Sequence, residues 1–199
     1  MSYLLPAKRD IKMIFIGDSS VGKSCIINKY IKGQFSEEVE PTVGASFFSR
    51  EMEIRGEHIV LNIWDTAGQE AYRYLVPMYY RNADIAIVVF DLTKFESFQS
   101  VEHWVEDVRK SCNNEVSVFI CGNKCDLEMN RAISPEQIQA KEIELKTSCI
   151  ETSALTGQGL DKLFAFSLGS HLEQNPKIIE DSASPFTPNL TTQRQHHCC

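Results

Sequence analysis

The segment IKMIFIGDSSVGKSCIINKYIK (residues 11–32) constrains this chain more than any other. Ile11 to Asp18 alternates in hydropathy and turns at Gly17, which reads as a strand feeding a loop. Ile26, Ile27, Tyr30 and Ile31 then recur at helical spacing. Strand and helix are therefore joined by a short loop, and the same alternation continues downstream. IAIVVFD (85–91) and VSVFICG (116–122) are unbroken apolar runs, as expected of strands covered on both faces. Phe98, Val101, Val105 and Val108 form one helical stripe, with Thr93 and Glu96 spaced for a capping box at its start. Ser134-Pro135-Glu136-Gln137 opens another helix, and Gly159 to Glu173 supplies the last. SFFSREMEIRGEHIVLNIWD (46–65) reads as two strands folded back at Arg55-Gly56. The expectation is an α/β fold, a mainly parallel sheet with helices on both faces and one hairpin edge.

A chain of 199 residues suits one domain and a tail. The boundary is expected near Asn175, where NPKIIEDSASPFTPNLTTQRQHHCC loses periodicity and reads as a flexible tail, leaving residues 1–174 as the domain. A net charge of −7 argues against sequence-independent nucleic-acid binding, which needs clustered Lys and Arg. No apolar run approaches a membrane span. The N-terminal apolar stretch is too short for a signal peptide, and Ser2 rules out N-myristoylation, so a cytosolic setting is expected. There, Cys25, Cys112, Cys121, Cys125 and Cys149 should be reduced and act as small apolar packers. Cys121 and Cys125 lack a second pair at zinc spacing.

The chemistry concentrates at strand ends. Gly17 to Ser24 fits G-x-x-x-x-G-K-S between a strand and a helix. Backbone N–H groups from Gly17, Ser19, Ser20, Val21, Gly22, Lys23, Ser24 and Cys25 can converge on phosphates, and the helix N-terminus adds positive potential. Lys23 can pair β- and γ-phosphates while the Ser24 hydroxyl holds Mg²⁺. A chance glycine turn is the bland alternative, and the flanking strand and helix weigh against it. In WDTAGQE (64–70), Asp65 can organise Mg²⁺ waters, Gly68 can offer its N–H to a γ-phosphate, and Gln69 can orient a water in line. Asn123-Lys124-Cys125-Asp126 follows a strand. The Asp126 carboxylate can accept two parallel hydrogen bonds from guanine, where adenine has no matching donor pair, and the Lys124 stem can cover the purine face. Ser153, Ala154 and Leu155 close the base pocket, with the Ala154 N–H aimed at guanine O6.

These four motifs, in this order, resemble the Ras-like small GTPases across roughly Asp10 to Glu173. The resemblance implies a Ras-like domain with a six-stranded sheet and about five helices. It also implies that Thr42, in PTVG, ligates Mg²⁺ and senses the γ-phosphate, and that Phe35 packs edge-on to the base. Among these GTPases the chain resembles the Rab family in WDTAGQE, in MYYRNADIAIVVFDLT and in the terminal Cys-Cys, and PTVGASF and YLVPMYYR are similar to its endosomal subgroup. For a Rab, Phe47, Trp64 and Tyr79 match the aromatic triad presented to effectors, although aromatics on a strand and a helix are also ordinary core. Exchange factors, GTPase-activating proteins, escort proteins and GDP-dissociation inhibitors are the implied partners of a monomer cycling between cytosol and the cytoplasmic face of endosomal membranes. Ala71 stands where many Rabs have an arginine, and Asn82 where a glycine is common.

Three other readings bear on the same residues. A phosphotransferase built on this loop leaves Asn123-Lys124-Asp126 without a role. A domain that binds without turnover does not need Lys23, Ser24, Thr42, Asp65 and Gln69 together. A structural adaptor whose nucleotide never exchanges is separated from a switch by nucleotide release with and without Mg²⁺.

The terminal Cys198–Cys199 pair is too close for an unstrained disulfide, consecutive Cα atoms being about 3.8 Å apart. Four contiguous residues in HHCC do not readily surround one metal. Nothing follows Cys199, so the C-a-a-X rule does not apply. The Rab resemblance implies prenylation of both cysteines. Lys177 and Arg194 are offset by Glu180 and Asp181, so charge adds little anchoring, and one lipid alone binds only marginally.

Overall fold

The computed structural model describes residues 8–36, 42, 44–67, 76–112 and 115–176. Its elements run β1 (Arg9–Ile16), α1 (Lys23–Lys32), β2 (Ala45–Ile54), β3 (Glu57–Thr66), α2 (Val76–Tyr80), β4 (Ile85–Asp91), α3 (Phe95–Ser111), β5 (Ser117–Asn123), α4 (Pro135–Leu145), β6 (Ser148–Glu151) and α5 (Leu160–Gln174), with a 3₁₀ turn at Glu128–Asn130. The six strands form one sheet in the order β2-β3-β1-β4-β5-β6. All pairings are parallel except β2–β3, which is the expected hairpin. Its turn places Arg55 (φ 55°) and Gly56 (φ 78°) in left-handed conformations, the two-residue geometry whose twist matches the flanking strands.

The central strands explain their own sequences. On β1, Met13 and Phe15 pack with α1 and α5 residues such as Ile26, Ile27, Phe164 and Leu168. Ile14 and Ile16 face the other way and join Tyr80, Phe90, Val101, Trp104, Val105 and Ile138. A strand buried on both faces has no solvent-facing positions, hence the apolar interiors of β4 and β5, every residue of which is buried and whose polar residues, Asp91, Ser117 and Asn123, stand at the strand ends. Phe164 centres the first layer, stacked on Tyr30 at 3.6 Å between ring centroids and tilted against Phe15 at 5.8 Å.

Helix starts follow local chemistry, with one correction. Ser134 caps α4 as expected: its Oγ accepts the Gln137 N–H, Gln137 returns a bond to the Ser134 N–H, and Pro135 takes the first turn. The expected Thr93–Glu96 capping box does not form. Lys94 precedes α3 without a side-chain cap. Thr93 instead donates from Oγ1 at 2.7 Å and from its backbone N–H at 2.9 Å to Asp91 Oδ1, which holds its hydroxyl toward that buried carboxylate. Asn82 sits at φ 57°, which accounts for asparagine at a position where glycine is common, since its short side chain tolerates the left-handed region.

β1 is flanked by β3 on one side and β4 on the other, and chain connections leave it in opposite directions. In open α/β sheets the crevice at the carboxyl ends of such strands is where ligands bind.

Candidate functional site

The loop from Gly17 to Ser24 lies in that crevice. A Cβ on Gly17 (φ 135°) would come within 2.2 Å of Val89 O, and one on Gly22 (φ 100°) within 2.3 Å of Asn123 Nδ2. Both positions therefore need glycine, for close approach as well as for backbone conformation. Val21 is buried, Ser19 and Ser20 are exposed, and Ser20 holds a left-handed conformation at φ 64°. α1 begins at Lys23 with no side-chain cap and no acidic residue in its first turn. Its first N–H groups are thus free to meet an anion.

Lys23 is 6% exposed. Its Nζ donates to Gly17 O at 2.8 Å and Asp18 O at 2.7 Å, which leaves one of three ammonium protons for a ligand. Burial lowers its pKa to about 8, against the opposing pull of Asp65 and Asp18. A buried ammonium held by two carbonyls, with no contacting carboxylate among the described residues, is a group that gains from an incoming phosphate.

Next to it, oxygen ligands from three separate segments meet: α1, β3 and the residue Thr42 between α1 and β2. Ser24 Oγ and Thr42 Oγ1 are 2.9 Å apart, and Thr42 Oγ1 donates to Asp65 Oδ2 at 3.4 Å. Asp65 Oδ1 is buried and has no hydrogen-bond partner among the described residues. Burial raises the Asp65 carboxyl, with Ser24, Lys23 and Thr42 pulling it back. An orphaned carboxylate oxygen beside two hydroxyls is an all-oxygen donor set of the kind a small hard cation such as Mg²⁺ takes. The residues fit that ion.

At the end of β5 the base loops are tied together. Asn123, 1% exposed, donates from Nδ2 to Val21 O at 2.9 Å, and its Oδ1 accepts from Thr152 Oγ1 and the Ala154 N–H, each at 3.2 Å. One amide thereby joins the phosphate loop to the loops after β5 and β6. The Ala154 N–H, expected to face guanine O6, points to Asn123. Lys124 (φ 67°) reaches Asp91 Oδ2 at 2.7 Å. Burial pushes the Asp91 carboxyl up, but hydrogen bonds from Lys124 and Thr93 outweigh it and hold it below the usual carboxylate range. This pairing fixes the Lys124 stem. Asp126 is half-buried, and among the described residues nothing takes its carboxylate, so it stays available to a ligand. Ser153 and Ala154 are buried, Leu155 is 47% exposed, and Cys25 is half-buried at the start of α1. Phe35 is half-buried against the α1–α5 core layer.

The aromatic trio also assembles. Phe47 and Trp64 are register partners across β2 and β3, in edge contact at 5.2 Å, and Tyr79 lies 5.9 Å from Trp64. Phe47 is 53% exposed, whereas Trp64 and Tyr79 are half-buried and Trp64 packs against the α3-side core layer, so the trio runs from core to surface. Lys12 Nζ sits 5.2 Å over the Trp64 ring.

Gly68, Gln69, Ala71, Cys198 and Cys199 lie outside the described residues. The five described cysteines are free; burial pushes Cys121 up to about 12 and raises the other four, which keeps them protonated and inert. Sequence reasoning overlooked Asp91, which anchors Lys124, and Arg131, which holds Glu151 through two bonds of 2.8 and 2.6 Å beside the base loops. Asp91 ends an apolar run, a place where a carboxylate needs a reason. Arg131 carries no comparable signal.

The sequence matches the Ras family over residues 12–172. It is 37% identical over 170 residues to the Ras-related protein SEC4 of Candida albicans, covering 83% of this chain and 80% of that protein. It is 34% identical over 193 residues to the Ras-related protein RabJ of Dictyostelium discoideum, covering 97% of this chain and 73% of that one. A match that runs from β1 into α5 leaves only the first three residues of β1 and the last two of α5 outside it, and none of the crevice: the chain belongs to the Ras family of small GTPases and is Rab-like within it.

Proposed function

We propose that the protein is a membrane-anchored switch that binds GTP and GDP, hydrolyses GTP slowly, and in its GTP form recruits effectors that direct vesicle traffic on endocytic membranes. The observation that carries the nucleotide part is the convergence of Ser24, Thr42 and an orphaned Asp65 oxygen beside the buried Lys23. That grouping has little purpose without a phosphate chain and its cation. The cation, held by Ser24, Thr42 and Asp65, would offset charge on the phosphate oxygens.

The chain's own residues divide the remaining work. The loop N–H groups from Gly17 to Cys25 cradle the α- and β-phosphates, and Lys23 donates to the β- and γ-phosphates. Gln69 orients the attacking water and the Gly68 N–H holds the γ-phosphate. The water oxygen bonds to the γ-phosphorus as the bond to the β–γ bridging oxygen breaks, leaving GDP and inorganic phosphate. Asp126 reads the guanine donors, Lys124 and Phe35 flank the base, and Asn123, Ser153, Ala154 and Leu155 shape its pocket. Thr42 and Gly68 sit on two segments that order around the γ-phosphate and relax after its loss.

No arginine lies between Ser24 and Thr42, so the charge stabilisation worth about 10³–10⁵ in rate comes from an activating protein. An exchange factor opens the site, and Phe47, Trp64 and Tyr79 receive effectors. Two prenyl groups on Cys198 and Cys199 anchor the chain, handled by escort and GDP-dissociation-inhibitor proteins.

Two experiments test the reading. Fluorescent GDP bound to the purified protein should be displaced by GTP and not by ATP, with slow single-turnover hydrolysis; displacement by ATP or fast unaided turnover overturns the switch. The N-terminally tagged protein should mark endosomes in its own cells, and a C198S/C199S variant should be diffuse. Marking of another membrane overturns the endocytic assignment, and equal distributions overturn the anchor.

A further inference from the structure

The second residue of the phosphate loop is an acid. Asp18 follows Gly17 directly, and its charge, after that of Asp65, pulls the Lys23 pKa back up against the larger effect of burial. A carboxylate in this position opposes phosphate binding unless it is turned aside, since like charges repel more strongly in a partly desolvated site than in water. Trp104, on α3 and 86 residues away in sequence, donates its indole N–H to Asp18 Oδ1 at 2.8 Å. Trp104 is 6% exposed and packs in the core layer between α3 and the sheet, so the donor is rigidly placed. On the other side of the same residue, the Asp18 backbone carbonyl accepts Lys23 Nζ at 2.7 Å. Asp18 thus turns its carbonyl to the phosphate lysine and its carboxylate to α3. An indole can only donate, so it retains this acceptor without competing for the loop's own N–H groups.

We propose that Trp104 is a positioning residue for nucleotide binding, its indole N–H holding the Asp18 carboxylate on α3 and out of the phosphate cradle. The inference rests on the nucleotide reading above. It makes the packing of α3 a determinant of how long nucleotide stays bound.

The test is a cycle of GDP release rates. Full-length protein is loaded with fluorescent GDP in Mg²⁺ and chased with unlabelled GDP. Wild-type loading is read first and by itself decides whether guanine nucleotide binds. W104F keeps the buried ring and removes the N–H; release should quicken about tenfold, the equivalent of one charge-assisted hydrogen bond. D18N leaves no charge to be held, so adding W104F to it should change release by less than about twofold, the scatter of independent sites. D18N alone, with α3 intact, should release GDP more slowly than the wild type, a result that stands even if W104F does not fold. Equal acceleration by W104F in both backgrounds assigns Trp104 to packing alone and overturns the proposal. So does wild-type release from W104F, or faster release from D18N.

Discussion

Truncating Asn123 to alanine isolates the tie between the phosphate loop and the base loops. The side chain makes three hydrogen bonds in a site from which water is excluded, to Val21 O, Thr152 Oγ1 and the Ala154 N–H. Thr152 can fall back on Cys121 Sγ, 3.2 Å away, so two groups are left unpaired. A buried group without a partner costs about 1–3 kcal/mol, so the variant should lose about 3 kcal/mol in all. Where that loss appears is the informative part. Val21 belongs to the phosphate cradle, and freeing its carbonyl loosens the loop that grips the ligand. GDP release, followed by fluorescence after a chase, should accelerate about 100-fold, the rate equivalent of that energy. The melting temperature should fall by several degrees in parallel, at about 2–4 °C per kcal/mol. An N123D comparison sharpens the result, since a carboxylate facing Val21 O repels it and should release GDP at least as fast. Release within threefold of wild type, with the melting temperature still lowered, would refute the reasoning: Asn123 would then support the fold and not the phosphate loop.

Three further outcomes follow from the same geometry. Lys23 begins at a pKa of about 8 and a bound phosphate raises it, so the bound state holds the extra proton; GDP affinity should weaken as pH rises above 8, by at most about tenfold per unit, and a flat titration to pH 9.5 contradicts this. Phe164→Ala removes the ring stacked on Tyr30 and packed on Phe15, and urea unfolding should show a loss of about 3–5 kcal/mol. Ser20→Gly relieves a left-handed backbone worth about 1–2 kcal/mol against the added chain entropy of glycine, so the urea midpoint should rise slightly; a fall means that the exposed hydroxyl does more than occupy space.

Much of the fold was legible because burial writes itself into composition. β4 and β5 read as covered strands since no position on them meets water. The Ser134 capping box was readable because every group in it lies within four residues. β6 was not, since Ser148-Cys149-Ile150-Glu151 is too short to show a period and owes its conformation to pairing with β5. Thr93 misled because its competitor, Asp91, looked like the end of a strand rather than a buried acceptor.

The sequence by itself determined the order of chemistry along the chain: a glycine loop between strand and helix, an aspartate at the end of β3, and Asn-Lys-Cys-Asp at the end of β5. Those assignments rest on residue type and local spacing, which tertiary structure does not alter. Only the tertiary structure decided how they meet. It brought Thr42 onto Ser24 and Asp65, used Asn123 as a tie as well as a pocket wall, placed Asp91 under Lys124, and set Trp104 against Asp18. These contacts join residues far apart in the chain through hydrogen bonds whose partners are chosen by the packing of separate strands and helices. No local pattern encodes a partner that the fold alone brings within 3 Å.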